Sequence, residues 1–214
     1  MKPRIKICGL TRLEDVQVAV EAGADAIGLV FYPPSPRFVD LAKAAELARA
    51  VPPFITIVGL FVNADPVVVR ETLAAVPIHL LQFHGDEDEA YCRRFDRPYM
   101  KAARVRPGMD LVQYAADFPS AQAILLDAFV DGFGGGGKVF DWSLIPPALG
   151  KQLVLSGGLD AGNVGEAVAR VQPAAVDVSS GVEAAKGIKD AEKIRAFCAA
   201  VRSQTRSAGM LPID

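Results

Sequence analysis

The sequence predicts a single (β/α)8 barrel, and three observations support this fold class. The chain has 214 residues, of which 51% are hydrophobic and 22% charged, enough to bury one core within the usual length of an α/β barrel. Short β-forming runs alternate eight times with Ala-rich segments of 3.6-residue periodicity, which indicates repeated βα units around a parallel sheet. No Pro-rich or polar linker divides the chain. An open doubly wound sheet is the alternative, and eight units favour the closed barrel.

Strands and helices are predicted in alternation along the whole chain. The strands are expected at residues 4–8, 25–31, 55–61, 78–83, 98–103, 122–127, 152–156 and 174–179. The helices are expected at residues 12–22, 40–50, 66–75, 87–95, 109–117, 142–148, 160–170 and 189–202. These elements place the barrel domain at residues 1–202 and leave residues 203–214 as a C-terminal tail.

Capping residues at several helix starts support this assignment. Thr11 and Asp160 occupy predicted N-cap positions, and Asp190 stands near the start of the last helix. Asp65 is followed by Pro66 at the first helical position, where proline is favoured because the backbone N–H that it lacks has no helical partner there.

The charge and the cysteine content of the chain indicate which kinds of binding partner and which cellular compartment to expect. The 23 basic and 25 acidic residues give a net charge of -2, and no basic run is interleaved with aromatic residues, so we expect a small-molecule substrate and no nucleic acid. Cys8, Cys92 and Cys198 are far apart and odd in number, which predicts neither a disulfide framework nor a zinc site and favours the reducing cytoplasm. No signal peptide is predicted, because the start Met1-Lys2-Pro3-Arg4 lacks an apolar stretch. No membrane span is predicted, because the longest apolar segment, residues 54–62, is too short.

Polar side chains are expected to converge at the carboxyl ends of the strands, where barrel enzymes carry their active sites. Side chains alternate along each strand between the barrel interior and the helix layer. Those predicted to point inward are Arg4, Lys6 and Cys8 on strand one, Gln82 and His84 on strand four, Asp127 on strand six, and Asp177 and Ser179 on strand eight.

Cys8 and Asp127 form the predicted acid–base pair. Cys8 precedes Gly9, and Lys6 on the same face is expected to lower the pKa of its thiol; a buried structural cysteine is the alternative. Asp127 ends an apolar run, and a loop cap or an ion pair with Lys138 is the alternative for it. An acid and a base on opposite sides of one ligand can move a proton between carbon and oxygen without a metal or cofactor.

Three glycine-containing loops are predicted anion sites. The loop after strand six has four adjacent glycines, Gly136 among them. Gly157 and Gly158 follow strand seven, and Ser180 and Gly181 follow strand eight, the two loops that bind phosphate in many barrels. Glycine lets backbone N–H groups approach an anion closely; ordinary glycine turns are the alternative.

Arg37 is the predicted carboxylate-binding residue. It lies in a Pro-rich loop after strand two, and its planar guanidinium can bind a carboxylate through two parallel hydrogen bonds; a solvated surface arginine is the alternative. His84 ends strand four and either contacts the substrate or fills the rim of the barrel. With two histidines in the chain, no metal site is predicted.

Several segments spread along the chain match the pattern of one known family. They are Lys6-Ile7-Cys8-Gly9, Gly28-Leu29-Val30-Phe31 with Ser35-Pro36-Arg37, Gly59-Leu60-Phe61-Val62-Asn63, Leu81-Gln82-Phe83-His84-Gly85, Leu126-Asp127 with the glycine loop and Phe140-Asp141-Trp142, Ser156-Gly157-Gly158-Leu159, and Asp177-Val178-Ser179-Ser180-Gly181-Val182-Glu183. In this order, from strand one to helix eight, they resemble phosphoribosylanthranilate isomerase of tryptophan biosynthesis.

The resemblance implies a cofactor-independent isomerase that converts N-(5-phosphoribosyl)anthranilate into 1-(2-carboxyphenylamino)-1-deoxyribulose 5-phosphate, an aldose-to-ketose Amadori rearrangement. Asp127 matches the general acid that opens the ribose ring, and Cys8 matches the general base that removes the C2 proton. The resemblance assigns the anthranilate carboxylate to Arg37 and the phosphate to loops seven and eight. Gly136 departs from the family, which commonly has Ser or Thr in this loop.

Two other functions remain alternatives at this point. The related isomerase of histidine biosynthesis performs the same rearrangement on a two-phosphate substrate, but it is expected to have aspartate at position 8, where this chain has Cys8. A non-catalytic sugar-phosphate-binding barrel would keep the glycine loops and need neither Cys8 nor Asp127. Candidates for further substrate contacts are His84, Gly136 and Asp177, and the protein is expected to be a monomer or a homodimer.

Overall fold

A closed barrel of eight parallel strands lies at the centre of the computed structural model, which describes residues 2–128 and 141–207. The strands are β1 (Arg4–Cys8), β2 (Ala26–Val30), β3 (Thr56–Phe61), β4 (Leu80–Phe83), β5 (Tyr99–Val105), β6 (Ala123–Ala128), β7 (Gln152–Leu155) and β8 (Ala175–Val178). Each strand pairs with the next one along the chain, and β1 also pairs with β8. The predicted (β/α)8 fold is confirmed.

Helices cover the outside of the barrel. They are α1 (Leu13–Glu21), α2 (Leu41–Arg49), α3 (Pro66–Ala75), α4 (Glu89–Cys92), α5 (Leu111–Ala116), α6 (Val164–Val171) and α7 (Ala191–Ser207). Asp65 caps α3 ahead of Pro66, and the Asp190 carboxylate accepts hydrogen bonds from two backbone N–H groups of α7, as predicted. None of the helices in the described segments has the length and apolar character needed to span a bilayer.

A hairpin follows β8 before the last helix begins. It consists of β9 (Glu183–Ala185) and β10 (Ile188–Lys189), which pair in the antiparallel direction. These two strands are not among those predicted from the sequence. They extend the eighth strand–helix connection across the carboxyl end of the barrel, beside the loop that carries Arg37.

The connection between β6 and β7 differs from the prediction. Within residues 141–151, a 3-10 turn at Trp142–Leu144 takes the place of the helix predicted at residues 142–148. Pro146 and Pro147 explain the difference, because proline lacks a backbone N–H donor and disfavours helical geometry in the residue before it. The helix prediction for this segment is wrong.

Some predicted helix boundaries are also wrong. Thr11 does not cap α1; its hydroxyl donates a hydrogen bond to the carbonyl of Gly187 at 2.6 Å. Asp160 accepts hydrogen bonds from two backbone N–H groups of the turn that precedes α6, so it caps this turn rather than the helix. The last helix ends at Ser207 rather than at residue 202, which places the first residues of the predicted tail in the helix. Residues 208–214 lie outside the described part of the chain.

Two apolar layers flank the strands. The larger layer lies between the barrel and the helices, and the smaller one fills the barrel interior with Val58, Met100, Ala102, Leu125 and Val154. This arrangement follows from the alternation of side chains along each strand. The interior apolar layer leaves the carboxyl end of the barrel to polar side chains.

Arg4 is an exception to the predicted inward-facing set. Its side chain is 76% exposed, and its Nη1 lies 2.9 Å from Asp25 Oδ1. Lys6, two residues further along β1, is buried. Arg4 begins the strand, so its long side chain reaches solvent at the amino end of the barrel; the prediction that it points inward is wrong.

A buried ion pair holds the loop after β4. Lys101 Nζ donates a hydrogen bond to the carbonyl of Gly85 at 2.6 Å and lies 3.2 Å from Glu87 Oε2. The Glu87 carboxylate also accepts hydrogen bonds from the backbone N–H groups of Asn63 at 2.7 Å and Gly85 at 2.9 Å. Because this loop begins at His84, the pair fixes the backbone beside that side chain.

Replacement of Lys101 by methionine is expected to lower the free energy of unfolding by about 3–5 kcal/mol, because Glu87 stays buried without its counterion. Urea unfolding measures the loss. Lys43→Met is the matched control, since Lys43 also lies 3.2 Å from a glutamate, Glu46, but on the surface. The control should change the free energy by less than about 1 kcal/mol. Equal changes in the two variants would contradict a special role for the buried pair.

Candidate active site

The carboxyl end of the barrel holds a group of buried polar side chains. Cys8 ends β1, His84 follows β4, Asp127 lies near the end of β6, and Asp177 lies on β8. Arg37, from the loop after β2, is buried at the same end. The structure therefore places these predicted site residues where active sites of this fold occur.

Asp127 is held by hydrogen bonds to both carboxylate oxygens. Its Oδ1 accepts one from the backbone N–H of Ala128 at 2.9 Å, and its Oδ2 lies 3.2 Å from His84 Nε2. Gln82 Nε2 lies 2.9 Å from His84 Nδ1. Since the amide nitrogen donates, Nδ1 is the acceptor, and a neutral imidazole then carries its proton on Nε2, facing Asp127. His84 therefore orients Asp127, a role that the sequence analysis does not assign to it.

Cys8 owes its place to a glycine on the neighbouring strand. Gly28 of β2 lies opposite Cys8 in the sheet register. A Cβ atom at position 28 would lie 2.6 Å from Cys8 Sγ and 3.1 Å from Lys6 Nζ. Any side chain larger than hydrogen would displace the thiol and the ammonium, so Gly28 makes room for both.

Lys6 stands between Cys8 and Asp177. Its Nζ lies 2.8 Å from Asp177 Oδ1, and all three side chains are buried. Burial raises the pKa of the Cys8 thiol, and the nearby Lys6 ammonium lowers that pKa only in part. Burial lowers the pKa of Lys6, but Asp177 and Cys8 outweigh it and raise that pKa above its ordinary value, so Lys6 stays charged. The predicted effect of Lys6 on Cys8 has the right sign, yet burial is stronger.

Arg37 is already engaged by a carboxylate of the protein. Its Nε lies 2.7 Å from Glu183 Oε1, and its Nη2 lies 2.8 Å from Glu183 Oε2. The side chain also passes close to Gly9, where a Cβ atom would lie 2.5 Å from Arg37 Cδ. Glu183 has no role predicted from the sequence. The sequence gives only a weak signal for this residue, because an acidic side chain at the end of a glycine-containing loop is common.

The two loops predicted to bind phosphate are packed against each other. Gly157 and Gly158 have φ values of 84° and 66°, in the left-handed region that glycine adopts without steric cost. A Cβ atom on Gly181 would collide with the carbonyl oxygen of Leu159. One on Gly157 would lie 2.8 Å from Asp127 Oδ1, so this loop also borders the acid. Phosphate binding by the two loops stays a prediction.

Replacement of Gly181 by alanine is expected to raise KM about tenfold, because the loops must separate to admit the new methyl group. Inhibition by ribose 5-phosphate should weaken by a similar factor, since both measurements depend on the phosphate site. Gly165→Ala on α6 is the control, because its Cβ would meet only the flexible end of the Gln204 side chain. An unchanged KM in Gly181→Ala would remove loop eight from phosphate binding.

Two further predictions concern metal binding and the glycine loop. In residues 2–128 and 141–207, no group of three or more His, Cys, Asp or Glu side chains is arranged to hold a metal ion. Gly136 and the rest of the glycine loop lie outside the described residues.

Sequence comparison with known proteins identifies one family. The family model of N-(5'-phosphoribosyl)anthranilate isomerase matches residues 5–200. The N-(5'-phosphoribosyl)anthranilate isomerase of Dechloromonas aromatica is 68% identical over 207 residues, which are 97% of this chain and 100% of that protein.

Solved structures agree with this result. The phosphoribosyl anthranilate isomerase of Thermotoga maritima superposes with a TM-score of 0.88 at 41% identity, covering 94% of this chain and 99% of the other. Another solved structure is of monomers generated from the Thermotoga maritima isomerase, which is called dimeric there. A phosphoribosyl anthranilate isomerase in complex with reduced 1-(o-carboxyphenylamino)-1-deoxyribulose 5-phosphate has a TM-score of 0.84 at 39% identity, with 94% and 99% coverage.

Proposed function

Since this chain belongs to the N-(5'-phosphoribosyl)anthranilate isomerase family, we propose that Cys8 and Asp127 carry the proton transfers of its reaction. The protein is an isomerase of tryptophan biosynthesis that converts N-(5-phosphoribosyl)anthranilate into 1-(2-carboxyphenylamino)-1-deoxyribulose 5-phosphate. The observation that supports the proposal most directly is the burial of both side chains at the carboxyl end of one closed barrel.

Asp127 acts in the first step, the opening of the ribose ring. It donates its proton to the ring oxygen, the C1–O bond breaks, and the nitrogen lone pair forms a protonated Schiff base with C1. The carboxylate left on Asp127 is then stabilised by hydrogen bonds from His84 Nε2 and the Ala128 N–H group. These bonds make proton donation easier because they are stronger to the charged product than to the neutral acid.

Cys8 acts in the second step, the removal of the C2 proton. Its thiolate takes the proton, and the C–H electron pair moves into the C1–C2 bond while the iminium group accepts the displaced π electrons. The resulting enolamine becomes the ketone when its hydroxyl proton is lost and C1 is protonated. Cys8 has then gained one proton and Asp127 has lost one, so a net transfer from Cys8 to Asp127 completes the cycle. The Lys6 ammonium beside Cys8 stabilises the thiolate.

Binding of the two anionic ends of the substrate belongs to other residues. We assign the anthranilate carboxylate to Arg37, whose guanidinium retains donors beyond the two that Glu183 engages. The phosphate is assigned to Gly157, Gly158, Ser180 and Gly181, where left-handed glycines and a short 3-10 turn present backbone N–H groups.

The remaining candidates for substrate contact are assigned different roles. Asp177 is held by Lys6 at 2.8 Å and by Ser156 Oγ at 3.4 Å, which favours an action on Cys8 through Lys6. His84 acts through Asp127. A contact from Gly136 remains a proposal that rests on the family resemblance alone.

The activity is tested by mixing the purified protein with freshly generated N-(5-phosphoribosyl)anthranilate and following the loss of anthranilate-type fluorescence. Turnover is expected with the wild-type chain. Binding of the reduced product analogue without turnover would instead favour a non-catalytic sugar-phosphate-binding barrel. Glu192→Gln, which changes an exposed ion pair with Arg195 on α7, serves as the control and should leave the rate unchanged.

For assembly and compartment, the proposals are a monomer or a homodimer in the cytoplasm. Cys8, Cys92 and Cys198 are free thiols, which supports a reducing compartment. Phe54, in the loop before β3, is fully exposed with a φ of 71°, and its burial between two copies would be favourable. Light scattering on the eluted protein distinguishes the two states, and Phe54→Ser should convert a dimer that uses this contact into a monomer.

A further inference from the structure

The hairpin formed by β9 and β10 lies against two neighbouring loops of the active-site end. A Cβ atom on Gly187, in its turn, would lie 2.5 Å from the carbonyl oxygen of Pro36, in the loop that carries Arg37. The Gly187 carbonyl also accepts a hydrogen bond from Thr11 Oγ1, in the loop after β1, at 2.6 Å. The hairpin turn thus contacts the loops that follow β1 and β2, the second of which carries Arg37.

Glu183, the first residue of this hairpin, engages only one edge of the Arg37 guanidinium. Both side chains are almost buried, with 6% and 10% of their surface exposed, and the two bonds use Nε and one hydrogen of Nη2. The second edge, formed by Nη1 and the other Nη2 hydrogen, makes no hydrogen bond to a side chain in the described part of the chain. That edge has the same fork geometry and can bind a second carboxylate through two parallel hydrogen bonds.

Lys189, at the other end of the hairpin, keeps this group positively charged. Its Nζ lies 2.9 Å from Glu183 Oε1 and donates a hydrogen bond to the carbonyl of Ser179 at 3.0 Å. Burial raises the pKa of Glu183, but bonds from Arg37 and the charge of Lys189 outweigh it and hold that pKa below its usual value. Two cations therefore surround one carboxylate. Burial lowers the pKa of Lys189, and the neighbouring Glu183 carboxylate opposes this shift. With Lys189 charged, the three groups carry one net positive charge that attracts a substrate anion, whereas Arg37 and Glu183 alone would be neutral.

We propose that Glu183 and Lys189 are positioning residues that set the preference of this enzyme for substrates with a carboxylate on the aromatic ring. Glu183 turns the free edge of Arg37 toward that carboxylate, and Lys189 preserves the positive charge of the site. The inference rests on the proposed role of Arg37. It adds that the selectivity depends on the hairpin, which acts through Arg37.

The test compares two substrates that differ only in this carboxylate. Ribose 5-phosphate is condensed with anthranilate or with aniline, and formation of each rearranged product is followed by chromatography. Glu183→Gln is expected to lower kcat/KM about tenfold or more for the anthranilate substrate, mainly through KM, and less than about twofold for the aniline substrate. Lys189→Gln should shift the ratio of the two kcat/KM values in the same direction. Glu192→Gln, an exposed acidic residue outside the site, should leave the ratio unchanged.

The outcomes separate this inference from the role of Arg37. Equal losses for both substrates in Glu183→Gln and Lys189→Gln would mean a purely structural role and overturn the inference. A ratio that changes in Arg37→Lys but not in the two hairpin variants would show that Arg37 is oriented without them, and would also overturn it. A ratio that is unchanged in all three would remove Arg37 itself from carboxylate binding. Thermal unfolding and inhibition by ribose 5-phosphate verify that each variant is folded.

Discussion

The Asp127→Asn enzyme is expected to lose about 10³-fold in kcat, because an amide cannot donate a carboxylic proton to the ring oxygen. Asparagine has nearly the size of aspartate, and its carbonyl oxygen can still accept the hydrogen bond that Ala128 N–H donates to Asp127. The buried site should therefore keep its shape, and KM should change little. Steady-state rates from the loss of anthranilate fluorescence measure both constants.

His84→Gln is the informative comparison for this variant. It changes the group that orients Asp127 and leaves the acid itself in place, so a smaller loss of about tenfold in kcat is expected. Losses of equal size in the two variants would assign the effect to the shared hydrogen bond and not to the proton of Asp127. Full activity in Asp127→Asn would remove this residue from the mechanism.

The Cys8→Ser enzyme is expected to lose kcat by a similar factor of about 10³, because a serine hydroxyl holds its proton far more tightly than a thiol and cannot serve as the base. The smaller oxygen fits the space that Gly28 leaves for the sulfur, so the fold should be retained. An unchanged thermal midpoint verifies this. Activity close to that of the wild type would contradict the assignment of Cys8.

The pH dependence of the wild-type rate provides a second test of Cys8. Burial raises the pKa of the thiol, so kcat/KM should keep rising with pH above neutrality as more thiolate forms. The charged groups around Cys8 are Lys6 on β1, Asp177 on β8 and Lys189 on β10. Lys6→Met removes a positive charge that lowers the pKa, so the rising limb should move to higher pH. Asp177→Asn removes a negative charge that raises it, so the limb should move to lower pH; profiles that match the wild type would exclude Cys8 as the titrating base.

The barrel could be predicted because its signals are local. An apolar strand such as β2, which lies between the helical segments α1 and α2, can be recognised within a short window of sequence. The helix predicted at residues 142–148 failed because its apolar composition suggested a helix although Pro146 and Pro147 oppose one. The prediction for the Arg4 side chain was wrong for another reason. The alternation rule gives the face of a strand, but not how far along the barrel axis a long side chain reaches solvent.

The site residues that lie at the carboxyl ends of strands could be predicted from the sequence. Cys8 ends β1 and Asp127 lies next to the last residue of β6, and the fold brings the carboxyl ends of all strands to one end of the barrel. The contacts between Arg37 and Glu183, and between Lys6 and Asp177, join residues far apart in sequence. Such pairs depend on which loops meet after the barrel closes, which a single sequence does not contain in any local pattern.

The closure of β1 on β8 also determines when during synthesis this enzyme can begin to work. A nascent chain that has reached β7 already carries Cys8, Arg37 and Asp127. It still lacks Asp177, the counterion of Lys6, and Glu183, the partner of Arg37. Until the final strand and hairpin leave the ribosome, Lys6 and Arg37 lack these carboxylate partners. Activity should therefore appear only with the release of nearly the whole chain, as one cooperative event.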